Sequence, residues 1–300
     1  MSIVAGCTTC SFNHIAVLLS KYIKKYYNLD IRVTHRIDAV TRLIVTDMWW
    51  TLIDGIKAIP PRDAVYWIDS FATRVKVPLN INRINRYLTT SEWNRIILDH
   101  YGIKAQVLPR SFNDDMTLKW FNTGQRSIDV MVIATDYERK NVKVIMKAIR
   151  ELGIKKYVAI CKGEGCTHEP YSVSEDQKYE MLARSKLFVW LSDSEGFGLP
   201  PIEAMSVGTP VIYSDNPFVS HNIIYETNIA VPCKLEEVED EIAIRPKSVF
   251  NLEDVKNAIK EGLRREITPE EREKMREFTW NRYSHKKVLE ELVTLDILRP

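Results

Sequence analysis

The sequence predicts an α/β protein with two Rossmann-like domains, each built on a doubly wound parallel sheet. Short apolar runs alternate with helical patterns along nearly all of the 300 residues, which is typical of repeated βαβ units. Several runs, such as LFVWL at residues 187–191, are continuously apolar, as expected of parallel strands buried on both faces. The length corresponds to about two domains, and we expect a ligand to bind in the central cleft between them.

The first half of the chain alternates strands and helices. Strands are predicted at SIVAG, IRVTH, LIVTD, AVYWID, RYLTT and AQVLP. A helix between the first two strands has one apolar stripe, which consists of Ile15, Leu18, Leu19, Tyr22, Ile23 and Tyr26. A second helix is capped by Ser91 and stops near Gly102, and its apolar residues are Trp93, Ile96 and Ile97.

The second half follows the same plan. Strands are predicted at DVMVIAT, KYVAIC, LFVWL, PVIYS and NIAVP. The helix after the first of these is ended by Gly153, and its apolar face consists of Val142, Ile145, Met146, Ile149 and Leu152. Thr268 and Glu271 form the start of a capping box. Ser284 is placed to cap a last helix, which bears Val288, Leu292 and Leu295.

Composition and charge limit the function classes. The hydrophobic share is 45%, ample for two cores, and the net charge is only +2, so no nucleic-acid partner is expected. No apolar run approaches the roughly 20 residues that span a bilayer, and no signal peptide opens the chain. Five cysteines, an odd number, favour free thiols in a reducing compartment. We therefore expect a cytoplasmic protein.

The stretch SDSEGFGLPPIEAMSVGTPVI at residues 192–212 is the strongest local signal. It predicts a glycine turn after a strand, a helix that starts with Pro200 and Pro201, and a stop at Gly208. A helix start of this kind binds anions through its free N–H groups and its dipole. Glu195 and Glu203 add carboxylates suited to sugar hydroxyls. The stretch therefore suits a sugar nucleotide; the ordinary alternative is a solvated loop acid and a glutamate that complements the helix dipole.

The string EGFGLPPIEAMSVGTPVI closely resembles the Glu-x7-Glu signature of the group 1 family of retaining glycosyltransferases, which have the GT-B fold. VIATDYERKNVKVIMKAI resembles the family's first strand and helix of the nucleotide domain, CKGEG its loop near the base, and the tail its closing helices. The resemblance is strong over residues 128–231 and faint over the first hundred.

The resemblance implies a metal-independent enzyme without a cofactor that moves a hexose, with retention, from a UDP- or GDP-linked donor to an acceptor hydroxyl. Glu203 would bind the ribose, and Glu195 the donor sugar. Lys140 would neutralise the leaving diphosphate. Thr135 stands where many members have arginine, and Arg139 would take the place of that arginine. The remaining donor-binding residues implied are Gly163, Gly196, Phe197, Gly198 and Leu199.

The domain boundary is predicted within residues 111–127, which show no clean period. We assign residues 1–115 to a short acceptor-side domain and 116–283 to the nucleotide-sugar domain. The resemblance implies that the terminal helix, residues 284–300, returns to the first domain. On the acceptor side, Gly6 is expected to form a tight turn and Asp69 to supply a polar group.

Several alternatives remain open from sequence. The acceptor is a saccharide, a lipid-linked sugar or a protein. Peripheral membrane contact through Lys21, Lys24 and Lys25 is a weaker alternative to a solvated lysine face. A zinc site that joins Cys7 and Cys10 to Cys161 and Cys166 is disfavoured relative to free thiols. For the whole chain, the competing functions are a non-catalytic sugar-nucleotide-binding or scaffold protein, and a sugar-nucleotide epimerase or a phosphorylase of the same fold.

Overall fold

The computed structural model describes residues 1–5, 11–47, 62–70, 72–76, 86–121, 124–135, 137–241 and 243–299. The chain divides into two compact units. The first unit contains Met1–Ser111, Glu239–Arg245 and Arg282–Pro300, and the second contains Phe112–Val238 and Pro246–Asn281. The last helix of the chain therefore belongs to the same unit as its first strand.

The secondary structure alternates as βαβ units require. The strands described are β1 (Ser2–Ala5), β2 (Arg32–Thr34), β3 (Thr41–Asp47), β4 (Val65–Asp69), β5 (Arg74–Val75), β6 (Tyr87–Thr89), β7 (Ala105–Val107), β8 (Ile128–Ile133), β9 (Tyr157–Ile160), β10 (Ser185–Trp190), β11 (Val211–Asp215), β12 (Ile229–Glu239) and β13 (Ala243–Phe250). The helices described are α1 (Ser11–Tyr27), α2 (Glu92–His100), α3 (Asp114–Trp120), α4 (Val142–Glu151), α5 (Glu175–Ala183), α6 (Leu199–Ser206), α7 (Leu252–Arg264), α8 (Pro269–Tyr283) and α9 (His285–Thr294).

The first unit is built on a parallel sheet in the order β2-β1-β3-β4-β6-β7. Its central strands β1 and β4 are largely buried, and Trp67 and Ile68 of β4 are fully buried, whereas the edge strands β2 and β7 are partly exposed. Helix α9 packs against α1, where the rings of Tyr22 and His285 stack with centroids 4.2 Å apart. The short strand β5 pairs antiparallel with the start of β13.

The second unit is built on a sheet in the order β13-β12-β11-β10-β8-β9, in which the strands from β8 to β12 are parallel. Its core forms where the apolar faces of α4 and α7 meet the sheet. Ile145 and Ile149 of α4 and Ile259 of α7 belong to one buried cluster with Val130 and Val189 of the strands. The expectation of two largely parallel sheets is confirmed.

Some local predictions need correction. Tyr26 is 36% exposed and Ile96 is 57% exposed, so neither lies on the buried face assigned to it. Tyr26 lies in the last turn of α1, and the short helix α2 buries Leu98 instead of Ile96. The predicted strands are all present, whereas β5, β13, α3, α5 and α7 were not predicted.

Gly208, which follows α6, has a left-handed backbone conformation and packs closely against its neighbours. Gly208 has a φ of +70°, and a Cβ there would lie 2.9 Å from the Cβ of Arg272. Gly153 has a similar φ of +66° with no heavy atom within 4 Å of the added Cβ. The two positions therefore separate backbone strain from close packing.

We expect Gly153→Ala to destabilise the protein by about 1–2 kcal/mol, the cost of a left-handed residue with a side chain. Gly208→Ala should cost a further 1–3 kcal/mol or so, because the added methyl also overpacks against Arg272. Urea unfolding of both variants beside the parent measures the difference. Equal losses for the two variants would show that the neighbours of Gly208 relax without cost.

Candidate functional site

The residues singled out by the glycine-rich stretch lie at the carboxyl edge of the second sheet. The loop between β10 and α6 leaves the sheet beside the ends of β8 and β11, because both strands pair in parallel with β10. Gly198 is the N-cap of α6 with a φ of 89°, and prolines occupy the first turn. The predicted turn, helix start and stop at Gly208 are confirmed. The first turn of α6 leaves backbone N–H groups without intrahelical partners.

Asp193 anchors the loop between β10 and α6 through several hydrogen bonds. Its Oδ1 accepts hydrogen bonds from Nδ2 of Asn141 at 2.7 Å and from the backbone N–H of Ser248 at 2.9 Å. Its own N–H donates to the carbonyl of Arg139 at 2.9 Å, and its carbonyl accepts from Nδ2 of Asn216 at 2.7 Å. Burial raises the pKa of Asp193, while the hydrogen bonds to its carboxylate act in the opposite direction. Sequence reasoning missed this role, because the partners come from distant segments.

Two cations converge on Glu195 in the loop. Lys140 forms an ion pair with the Glu195 carboxylate, and Nη1 of Arg139 lies 3.5 Å from Glu195 Oε1. Arg139 also donates to the carbonyl of Ser194 at 2.6 Å. Ser192 Oγ donates to Glu195 Oε1 at 2.5 Å. The structure thus brings together the three residues for which sequence predicted catalytic roles.

The Lys140 side chain is largely excluded from solvent. It is 5% exposed, and its ammonium lies 3.8 Å from the centroid of the Trp190 ring, within cation–π range. It precedes the N-cap of α4, Asn141, where a cation is unfavourable beside the positive end of the helix dipole. Glu195 supplies the compensating charge. Trp190 is a contact that the sequence did not predict.

Glu203 lies on α6 and is 4% exposed. Nζ of Lys178, from α5, donates to its Oε1 at 2.7 Å. The buried carboxylate is therefore paired, as burial of a charge requires. Lys178 was absent from the predicted site, since no pattern in the sequence linked α5 to α6.

The loop after β9 carries Gly163, whose φ is +139°. A Cβ there would lie 2.9 Å from Cε2 of Tyr137, so the loop passes close to that ring. Cys161 and Cys166 form a disulfide that closes the loop. The prediction of free thiols is wrong for these two residues, because the loop turns back on itself and brings their Cα atoms to 5.3 Å.

The other predicted positions are more dispersed. Cys233 is a free, half-buried thiol, whereas Gly6, Cys7 and Cys10 lie outside the described residues. Asp69 lies in the first unit, at the end of β4.

In the parts of the chain that the structure describes, no group of three or more His, Cys, Asp or Glu side chains is placed to hold a metal ion. Over the same residues, no helix has the length and apolarity needed to cross a membrane.

Comparison with known proteins extends these observations. The family model described as glycosyl transferases group 1 matches residues 154–278. The chain is 31% identical over 356 aligned positions to ORF378 of Acidianus filamentous virus 2 (isolate Italy/Pozzuoli), a candidate glycosyltransferase. That match covers 97% of this chain and 93% of the viral protein.

Solved structures match at low sequence identity. A glycosyltransferase from Rickettsia africae ESF-5 matches with a TM-score of 0.64 and 12% identity, over 99% of this chain and 98% of that chain. WaaG, a glycosyltransferase involved in lipopolysaccharide biosynthesis, matches with a TM-score of 0.59 and 11% identity, over 97% of each chain. These likenesses show the GT-B fold. Together with the viral relative and the family match, they show that the chain belongs to the group 1 family of glycosyltransferases.

Proposed function

We propose that the protein is a retaining hexosyltransferase that uses a UDP- or GDP-linked sugar and needs no catalytic metal. The observation that carries this proposal is the convergence of Lys140 and Arg139 on Glu195, next to the start of α6. Two cations and a helix start suit a diphosphate, and a carboxylate among them suits the hydroxyls of the sugar attached to it.

The diphosphate binds at the start of α6 in this proposal. Backbone N–H groups of Gly196, Phe197, Gly198 and Leu199 supply neutral donors, and the helix dipole adds a positive potential. Lys140 needs only to exchange one anionic partner for another, since its ammonium is already desolvated against Trp190. Such pre-organised donors stabilise charge without reorganisation during the reaction.

The nucleoside occupies the neighbouring positions. Glu203 accepts hydrogen bonds from the ribose hydroxyls, while the hydrogen bond from Lys178 holds its carboxylate in position. The loop with Gly163 borders the base, and the disulfide between Cys161 and Cys166 holds that loop in shape. These assignments follow the family's motif, matched position by position.

The reaction breaks the bond between the sugar's anomeric carbon and the diphosphate oxygen. A bond from that carbon to the acceptor oxygen forms on the same face, and the acceptor proton passes to an oxygen of the leaving phosphate. Negative charge therefore accumulates on the diphosphate in the transition state. Lys140 and Arg139 act by stabilising that charge, and Glu195 acts by holding the sugar hydroxyls.

Thermal-shift screening against UDP-, GDP- and ADP-sugars tests the donor class, because a ligand that binds the native state raises Tm. Product analysis by nuclear magnetic resonance then tests transfer and the retained anomeric configuration. A nucleotide that stabilises the protein without slow donor hydrolysis or transfer would indicate a binding protein. Conversion of the free sugar nucleotide to another without acceptor would indicate an epimerase.

Glu195→Ala separates sugar binding from nucleotide binding. We expect turnover to fall by about tenfold or more, because the sugar loses a charged hydrogen-bond partner, while affinity for the bare nucleoside diphosphate changes little. Steady-state kinetics and calorimetry measure the two quantities. Glu253→Ala, which removes an exposed carboxylate from the first turn of α7, is the control. Parallel loss of both quantities would indicate a collapsed loop.

The acceptor is proposed only as a hydroxyl of a saccharide, a lipid-linked sugar or a protein, and the setting as the cytoplasm. Acceptor arrays with the donor identified by thermal shift would select among the three acceptor classes.

A further inference from the structure

Arg110, just after β7 in the first unit, is a buried cation with spare donors. The residue is 0% exposed, and its Cζ lies 4.2 Å from the centroid of the Trp67 ring. Nη2 donates to the carbonyl of Trp67 at 3.1 Å. Nε and Nη1 are buried and have no hydrogen-bond partner among the described residues. A buried guanidinium with open donors is costly and is uncommon without a function.

Asp69 is the acid closest to this group in the described structure, yet it compensates the charge only in part. Its Oδ2 lies 3.6 Å from Nη2 of Arg110, beyond an ordinary hydrogen bond. Burial lowers the pKa of Arg110 to about 10, and Asp69 acts in the opposite direction. The Asp69 side chain is 15% exposed and that of Arg110 is 1% exposed, so solvent reaches this pair from the side of Asp69.

A second unpartnered donor follows in the chain. Ser111 is 4% exposed, and its Oγ has no hydrogen-bond partner among the described residues. The ring of Phe12, in the first turn of α1, lies 5.9 Å from Cζ of Arg110. The N-terminal turn of a long helix adds a potential that favours an anion. All these groups lie where strands of a parallel sheet end, which is where such sheets bind ligands.

The second unit contains a partly buried arginine of the opposite kind. Arg126 directs Nη1 to the carbonyl of Ser185 and to Thr209 Oγ1, and Nη2 to the carbonyls of Val207 and Gly208. This is how an arginine is used to tie segments of chain together. Arg110 makes one such bond and leaves its other donors unused. This difference indicates that the open donors of Arg110 serve to bind a ligand.

We propose that Arg110 and Ser111 bind an oxyanion, a carboxylate or a phosphate group, carried by the acceptor. The assignment to the acceptor rests on the proposed function, because it places the donor in the second unit. Stacking on Trp67 fixes the plane of the guanidinium, and Asp69 steadies its charge. Charge-assisted hydrogen bonds from Nε, Nη1 and Ser111 Oγ then satisfy the open donors. A neutral hydroxyl would leave the cation only partly compensated.

The test uses the full chain labelled with ¹⁵N-arginine, in which the Arg110 Nε–Hε resonance is assigned by its loss in Arg110→Lys. The probes are methyl glucoside, methyl glucuronide and glucose 6-phosphate at constant ionic strength. We expect the resonance to shift with the carboxylate or the phosphate probe and affinity to be at least about tenfold tighter than for the neutral glucoside. The glucuronide and phosphate arms show which oxyanion the site prefers.

Arg110→Gln should remove that preference, whereas the control Arg95→Gln on the surface of α2 should keep it. If Arg110→Gln does not fold, titration of the parent resonance decides alone. A resonance that no probe shifts, or that all three shift equally, overturns the proposal. Nucleoside-diphosphate binding is measured on the same sample. Its presence without an anion preference refutes this inference alone, and its absence refutes the proposed function.

Discussion

Lys140→Ala is expected to lower kcat by about a hundredfold or more, as removal of one pre-organised charge-stabilising donor commonly does. Lys140 is 5% exposed, and its ammonium forms an ion pair with Glu195 and lies against the Trp190 ring. The diphosphate gains charge as the glycosidic bond breaks, so a cation that tightens its hold at that moment raises kcat instead of merely improving binding. KM for the donor should change less than kcat.

The matched control is Lys143→Ala, an exposed lysine on α4, one turn further along the chain. It removes the same charge and the same chain length without touching the loop, and its kcat should stay within about twofold of the parent by the ordinary tolerance of surface sites. Activity of the parent should also survive EDTA, because the proposed diphosphate site consists of protein cations and backbone amides. Loss of turnover on chelation, with Lys140→Ala still active, would require Asp193 and Glu195 to be reinterpreted as metal ligands.

The site's backbone could be predicted because its determinants are local. Gly198, the two prolines and Gly208 start or end the helix through conformational preferences that act within a few positions. The buried strands β8 and β10 can likewise be recognised in the sequence as continuous apolar runs. By contrast, β13 has polar residues such as Arg245 and Lys247 between its apolar ones, and α5 has little apolar periodicity.

The contacts that tune the site could not be predicted, because they join segments far apart in the chain. Lys178 meets Glu203 only once α5 packs against α6. In the sequence, Trp190 looks like one more buried strand residue. Its contact with the Lys140 ammonium depends on the turn before α4, which brings the two residues together in the folded chain. Cys161 and Cys166 were misjudged for a related reason: an odd count describes the chain as a whole, whereas the disulfide depends on the path of one loop.

Glu203→Ala is expected to weaken nucleoside-diphosphate binding by roughly ten- to hundredfold. A lost hydrogen bond to a charged group costs about 1.5–3 kcal/mol, and each 1.4 kcal/mol or so is tenfold in affinity. Glu203 is 4% exposed and its carboxylate is paired with Lys178 at 2.7 Å, so in the proposed complex its position is set before the ribose binds. Titration calorimetry with the nucleoside diphosphate that gives the largest thermal shift measures the effect.

Lys178 allows the ribose contact to be separated from damage to the fold. Glu203→Ala leaves the Lys178 ammonium, whose side chain is 22% exposed, without its carboxylate and so destabilises α5 and α6 as well. Lys178→Met removes the same ion pair but keeps the Glu203 carboxyl group, so it reports the cost of losing the pair while the oxygens proposed to meet the ribose remain. A double-mutant cycle isolates the coupling between the two, and Glu180→Ala on α5 controls for loss of a solvent-facing acid. If Glu203→Ala lowers stability yet binds the nucleotide as tightly as the parent, Glu203 serves the helix pair and not the ribose.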